Sequence, residues 1–199
     1  MPQATPFPAA PAAAPDLLLH ICCGPCSTAC IERLRSEGHE PALAYINDNI
    51  DTPEEWERRL SAAETVARAA GVRLLVPPRD AAAWEADIRG LEDEPEGGAR
   101  CRRCFLHSFR RAIALAAEQG LPLVASSLTV SPHKRSATVF DAGAQAESEA
   151  RAAAPGAPRF APFDFKKKGG FLRSIALARE LGLYRQNYCG CRFSRRQDA

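Results

Sequence analysis

LLLHICCGPCSTAC, residues Leu17–Cys30, decides how the chain is read. A short greasy run, Asp16–Cys22, ends abruptly at a Gly-Pro pair, Gly24 and Pro25. The run is too short for a helix and long enough for a buried strand. Beyond the turn, Ser27 to Glu37 carries helix-forming residues, and Gly38 stands where a helix stops. The unit is therefore strand, tight turn, helix.

The same unit recurs outward from this stretch. Pro41–Ile46 (PALAYI) reads as a second strand. A helix follows with Thr52 as N-cap, Pro53 at its first position, acids in its first turn and Gly71 at its end. Val72–Pro77 reads as a third strand, Ala81–Leu91 as helical, and Cys104–Gln119 as a helix ending at Gly120. Leu121–Leu128 reads as a fourth strand, and from Ser131 onward the pattern becomes helical and basic. Strands alternating with helices through short links define an α/β fold, a Rossmann-like parallel sheet flanked by helices. The basic C-terminal part is expected to pack on that sheet. Ligands in such sheets bind beyond the carboxyl ends of the strands. The cysteine stretch, the NDNIDTP segment (Asn47–Pro53) and the SSLTVSPHKRS segment (Ser126–Ser136) all fall there. No glycine-rich phosphate loop follows the first strand, so the usual nucleotide cradle is missing.

Residues 1–15 are Ala/Pro-rich and lack both a basic start and a continuous apolar core, so they read as a flexible leader rather than a secretion signal. Residues 16–199 read as one domain. No apolar run approaches the roughly eighteen residues of a membrane span, and the chain is expected to be cytoplasmic with no membrane partner. The net charge of +2 conceals an asymmetry. Asp164 to Ala199 holds nine Lys/Arg against three acids, about +6, which leaves about −4 elsewhere. A basic end favours a polyanionic partner.

Eight cysteines in a chain without a secretion signal point to metal or catalysis rather than structural disulfides. They form three groups: Cys22, Cys23 and Cys26; Cys101 and Cys104; Cys189 and Cys191. Each short pair alone also fits a redox dithiol. Together they fit a soft metal centre, which takes about four thiolates. Seven thiols exceed one such centre, and the remainder suits a second ion with an open position. Cys30, four residues after Cys26, reads as a small hydrophobe. Helix N-termini at Cys26 and Cys104, and the flanking Arg100, Arg102 and Arg103, are expected to favour thiolate. The same arginines can instead meet phosphates.

Four segments, LLLHICCGPCS, CRRCFLHSFR, SLTVSPHKRS and FDFKKKGGFLRSIALARELGLYRQNYCGC, resemble the cobalamin-independent epoxyqueuosine reductases, a queuosine-biosynthesis family of the iron–sulfur type. They span essentially everything after the leader. The resemblance implies reduction of the epoxide of epoxyqueuosine at the wobble position of tRNA, with an external electron donor. It implies a 4Fe–4S cluster and a second mononuclear metal ion, iron or zinc. On that basis Cys101, Cys104, Cys189 and Cys191 are assigned to the cluster and Cys22, Cys23 and Cys26 to the open ion; a mixed arrangement stays open. Asp48 stands where a proline is common in the family, and no role is carried onto it.

Asp164 and His133 are candidate proton donors or, for Asp164, a ligand. Arg102, Arg103, Lys134, Lys166, Lys167, Lys168, Arg173 and Arg185 are candidate RNA contacts. Tyr184, Arg185 and Tyr188 offer stacking surfaces for an unstacked base. A zinc-stabilised RNA-binding module and a thiol–disulfide oxidoreductase remain alternatives. An ATP-dependent tRNA thiolase loses ground because the phosphate loop is missing.

Overall fold

The computed structural model describes residues 6, 7 and 14–195. Strand β1 (Leu17–Ile21) is buried along its whole length because helices cover both of its faces. Its side chains alternate: Leu17, Leu19 and Ile21 enter one core cluster and Leu18 enters the other. Each fully buried leucine contributes about 2 kcal/mol of apolar burial. β2 (Pro41–Tyr45), β3 (Leu74–Leu75), β4 (Leu123–Ser126) and β5 (Arg159–Phe160) complete a sheet of order β3–β2–β1–β4–β5. Every pairing in it is parallel.

α1 (Gly24–Ser36), α2 (Pro53–Ala70) and α6 (Gly170–Glu180) lie on the first face, and α4 (Ala99–Glu118) and α5 (Ser136–Ala153) on the second. α3 (Ala81–Ile88) packs on α4. The chain proceeds outward from β1 through β2 to β3, then returns to the other side of β1 for β4 and β5. The reversal between β1 and β4 opens a crevice at their carboxyl ends. Both the turn into α1 and the segment after β4 empty into it.

The expected parallel sheet is present, and several boundaries differ. α2 starts and stops as its sequence dictates, with the Thr52 hydroxyl accepting from Glu55 N at 3.3 Å and Gly71 left-handed at φ 65°. α1 begins at Gly24, three residues before the expected start, since Pro25 fits the first turn of a helix. There α1 crosses α2 so closely that a side chain at Gly24 would lie 2.4 Å from the Ala62 carbonyl oxygen. α4 begins at Ala99 rather than Cys104. The acidic loop before it wraps on Arg100, whose guanidinium donates to the Glu92 carbonyl at 2.6 Å and to that of Glu94, while the Glu94 carboxylate accepts from Ala99 N at 3.1 Å. Arg100 is thus committed to loop carbonyls rather than to thiols or phosphates. The fifth strand, two residues between Pro158 and Pro162, lay below what pattern reading detects. Of residues 1–15, expected to stand outside the fold, Phe7 is buried in the first core cluster; residues 1–5 and 8–13 lie outside the described residues.

Candidate metal centre and substrate cavity

Three sulfurs converge where β1 turns into α1. The Sγ atoms of Cys22, Cys23 and Cys26 lie within 4.8 Å of one another. β1 delivers the adjacent pair and the first turn of α1 brings Cys26 back beside them. Among the described residues this is the one group of at least three His, Cys, Asp or Glu side chains whose ligand atoms meet so closely. The donor set is all sulfur, which suits a thiophilic ion or cluster. Ser127, just past β4, seals the turn from the other side of the crevice: its hydroxyl accepts from Cys22 N at 3.4 Å.

Beside the triad opens a cavity of about 410 Å³. Cys22, Cys26, Cys104 and Cys189 line it together with His133, Lys134, Arg185 and Tyr188. Three chain segments far apart in sequence therefore present sulfur to one space. Cys101 and Cys104 sit on the first two turns of α4, within electrostatic reach of Cys189 and Cys191. Cys101 Sγ accepts from Gly97 N at 3.2 Å, and Cys191 packs with Trp84 and Ile88. Cys30 is fully buried, its thiol donating to the Cys26 carbonyl at 3.2 Å.

The C-terminal sulfur turn is held from α2. Arg59, 1% exposed, donates Nε to Glu55 at 2.7 Å, and its terminal nitrogens donate to the Cys189 carbonyl at 2.8 Å and the Tyr188 carbonyl at 3.2 Å. Asp51 N donates to the Gly190 carbonyl at 2.9 Å. Gly190 has φ 124°, and a side chain there would meet Arg59 at 3.0 Å, so glycine is required between the two cysteines. Tyr184 donates its hydroxyl to Glu55 at 2.8 Å and Tyr188 to Asp51 at 3.0 Å, fastening the segment before the turn.

The thiolate-favouring effect expected of the helix starts at Cys26 and Cys104 is outweighed. The neighbouring Cys22 and Cys23 thiols, then burial, push Cys26 well up, and burial pushes Cys104 up. Cys104 lies in the second turn of α4, too far from the helix end to profit from it. Cys22 is raised to about 11 by its hydrogen bond with Cys23, and Cys23 is lowered by the hydrogen bonds it receives from Cys22 and Cys26. Gln186 Nε2 also donates to Cys23 Sγ, at 3.0 Å.

The remaining sequence candidates are scattered. His133 is exposed at the cavity wall. Lys134 turns its ammonium inward, donating to Cys189 Sγ at 3.1 Å. Asp164 is not among the cavity-lining residues; it accepts from the Ser136 hydroxyl at 3.0 Å at the start of α5. Lys166 reaches the Lys134 carbonyl at 2.6 Å, while Lys167 and Lys168 are exposed ahead of α6. Arg173 pairs with Glu32 on α1 at 2.6 Å, Arg102 donates to Gln145 at 2.8 Å, and Arg103 is exposed.

Two buried groups escaped sequence reading. His20, the fourth residue of β1, ties that strand to β4 and to the residue just past β2: Nε2 donates to the Ile46 carbonyl at 3.1 Å and Nδ1 accepts from the Ser126 hydroxyl at 2.9 Å. Burial lowers its pKa, in keeping with a neutral ring at the cavity floor. A polar residue in an otherwise apolar strand was the available signal. Asp48, to which no role was assigned, is 3% exposed and bonded to His107 Nε2 at 3.0 Å, to Arg111 and to Asp80 N at 2.8 Å. His107 Nδ1 meets Asp87 at 2.7 Å. This network fixes the loop that carries Asn47 and Asn49 into the cavity.

Fold and site together define a Rossmann-like α/β protein whose switch-point crevice is lined with sulfur and carries no glycine-rich phosphate loop. The chain belongs to the QueH family of epoxyqueuosine reductases: the family model described as "Epoxyqueuosine reductase QueH" matches residues 17–197. Proteins of that name from Streptococcus pyogenes serotype M1 and Dehalococcoides mccartyi are 36% and 33% identical to it. The first alignment covers 89% of this chain and 69% of the relative, the second 91% and 93%. Among solved structures, the U34-tRNA thiolase NcsA from Methanococcus maripaludis with its 4Fe–4S cluster is similar at TM-score 0.51 and 13% identity, over 92% of this chain and 63% of the thiolase. At that identity the likeness is one of fold. No helix among the described residues is long and apolar enough to cross a membrane.

Proposed function

We propose that the chain reduces the epoxide of epoxyqueuosine, carried at the wobble position of tRNA, to the alkene of queuosine. The observation that carries this is the coincidence of the family match over residues 17–197 with the sulfur triad beside a cavity of about 410 Å³. The deoxygenation consumes two electrons and two protons; the epoxide oxygen leaves as water, and an external donor supplies the electrons. Cys22, Cys23 and Cys26 fit one thiolate-held centre; Cys104 and Cys189 on the cavity wall, with Cys101 and Cys191 near them in sequence, would hold a second once their sulfurs are drawn together. When bound, a 4Fe–4S cluster supplies electrons singly and a neighbouring ion supplies Lewis acidity.

The protein's own residues do the rest. The wobble nucleotide leaves the anticodon stack and enters the cavity, whose walls replace its solvent. Tyr188 and Arg185 offer planar surfaces against the base, and Asn49 and Asn187 offer amides to its polar edge. His133, at the wall, can hold a proton for the departing oxygen. Asp164 is better suited to securing the start of α5 through Ser136. Lys167, Lys168, Arg102 and Arg103 are left to meet the RNA backbone. A thiolase reading is disfavoured by the Cys22–Cys26 turn, which lacks the glycine-rich cradle that ATP-dependent activation needs.

The test is conversion of epoxyqueuosine to queuosine in tRNA by anaerobically purified protein with a low-potential reductant. Wild type converts; Cys22→Ala and Cys189→Ala fall to background. Full activity in either variant overturns the assignment of that thiol.

A further inference from the structure

We propose that Lys134 is the fixed counter-charge of the sulfur basin: a positioning residue that acts through Cys189 to set how readily a centre held there accepts an electron. The inference rests on the metal-dependent reading above and assigns Lys134 a different task from the RNA contacts.

The geometry is specific. Lys134 Nζ lies 3.1 Å from Cys189 Sγ, inside the cavity wall, and 5.5 Å from the centroid of the Phe105 ring. The backbone that bears it is tied down: Lys134 N donates to the Ser131 carbonyl at 3.4 Å, and the Lys134 carbonyl accepts from Lys166 at 2.6 Å. An ammonium so placed is not free to follow a phosphate backbone. Other hydrogen bonds to sulfur come from neutral groups: Gln186 and the Cys22 thiol to Cys23, the Ser127 hydroxyl to Cys22, and Gly97 N to Cys101. Lys134 alone of these donors carries a full positive charge, and it is the one lysine lining the cavity among the described residues.

The consequence follows from electrostatics. Each electron added to a thiolate-ligated centre adds negative charge, which a cation in hydrogen-bond contact with a ligand sulfur stabilises more than a neutral dipole does. Hydrogen bonds to sulfur and nearby charge are among the levers that set iron–sulfur potentials. Lys134 therefore raises the potential of the loaded site, bringing it within reach of a weaker electron donor.

Redox titration of anaerobically purified wild type, Lys134→Arg, Lys134→Gln and Lys134→Met tests this, with iron content and circular dichroism measured on the same samples. The midpoint potential falls in the Gln and Met variants and stays near wild type in the Arg variant. The turnover deficit of Lys134→Gln is largest with the weakest reductant and shrinks with a stronger one, which a merely structural defect would not do. If Lys134→Met fails to retain iron, Lys134→Gln carries the comparison. An unchanged potential in Lys134→Gln overturns the proposal, as does an Arg variant as low as the Gln variant. Uniformly weaker tRNA binding at unchanged potential would return Lys134 to the RNA contacts. Wild-type protein without a cluster would overturn the functional reading itself, and this inference with it.

Discussion

Cys22, Cys23 and Cys26 reach their places through five consecutive residues at the end of a central strand, whereas Cys189 is held by an arginine 130 positions earlier in the chain. The first turn is set by local geometry: β1 ends, α1 begins, and a helical turn returns Cys26 to the pair. The second has no regular structure to shape it. It takes its form from Arg59, Asp51 and the left-handed Gly190. One half of the basin is a property of a short sequence; the other is a property of the tertiary fold. The first is expected to persist under perturbation that dismantles the second.

Arg59→Met probes that difference most strongly. It removes the buried ion-pair partner of Glu55, leaving that carboxylate with the Tyr184 hydroxyl and the exposed Arg58, and removes two anchors of the Tyr188–Cys189 backbone, at an expected cost of roughly 3 kcal/mol. Thermal unfolding is expected to shift accordingly and conversion to be lost. Thiol labelling of the folded variant should show Cys189 and Cys191 newly reactive while Cys22, Cys23 and Cys26 keep their protection. Equal exposure of both groups would break the comparison. Arg59→Lys, which keeps charge but not the fork, is expected to recover part of the stability.

A smaller effect sharpens it. Burial alone would raise the Asp48 pKa, yet bonds from His107 and Arg111 hold it at about 2, below the ordinary carboxylate value of 3.8. A depressed carboxylate stabilises the fold above its unfolded pKa and loses that contribution as pH falls through the folded value. Between the ordinary value and the folded one this amounts to about 2–3 kcal/mol, lost between about pH 4 and pH 2. His107 has the opposite sign: its pKa is raised because bonds from Asp48 and Asp87 outweigh burial, so its contribution is present below about 6.5 and fades as pH rises through the raised value. Chemical denaturation across pH should show both limbs in wild type, and Asp48→Asn should flatten the acidic one. The Asn47–Asn49 loop should loosen while the Cys22–Cys26 turn stays formed.

The same division separates what the sequence reveals from what it hides. Thr52, Pro53 and Gly71 mark α2 because capping is a contact between near neighbours. The strand–turn–helix around Cys22 is legible for the same reason. The start of α4 is not, because its capping comes from Glu94 and from a loop folded on Arg100. Three cysteine groups announce themselves by composition, yet nothing in their spacing says that Cys104 and Cys189 share a wall with Cys22. Lys134 looks like a surface cation in SPHKRS and is turned inward only once β4 sets that segment over the crevice. Asp48, His107 and Arg59 act across distances that periodicity does not encode.

Sulfurs from three separate segments face one space, and the proposed chemistry requires that they hold iron there. Iron, acid-labile sulfide and zinc, quantified on anaerobically purified wild type beside its visible spectrum, test that most directly. The expected result is a brown protein with about four irons and matching sulfide per chain, as a 4Fe–4S cluster requires, and a further equivalent of metal. A colourless protein with stoichiometric zinc and no sulfide would contradict it.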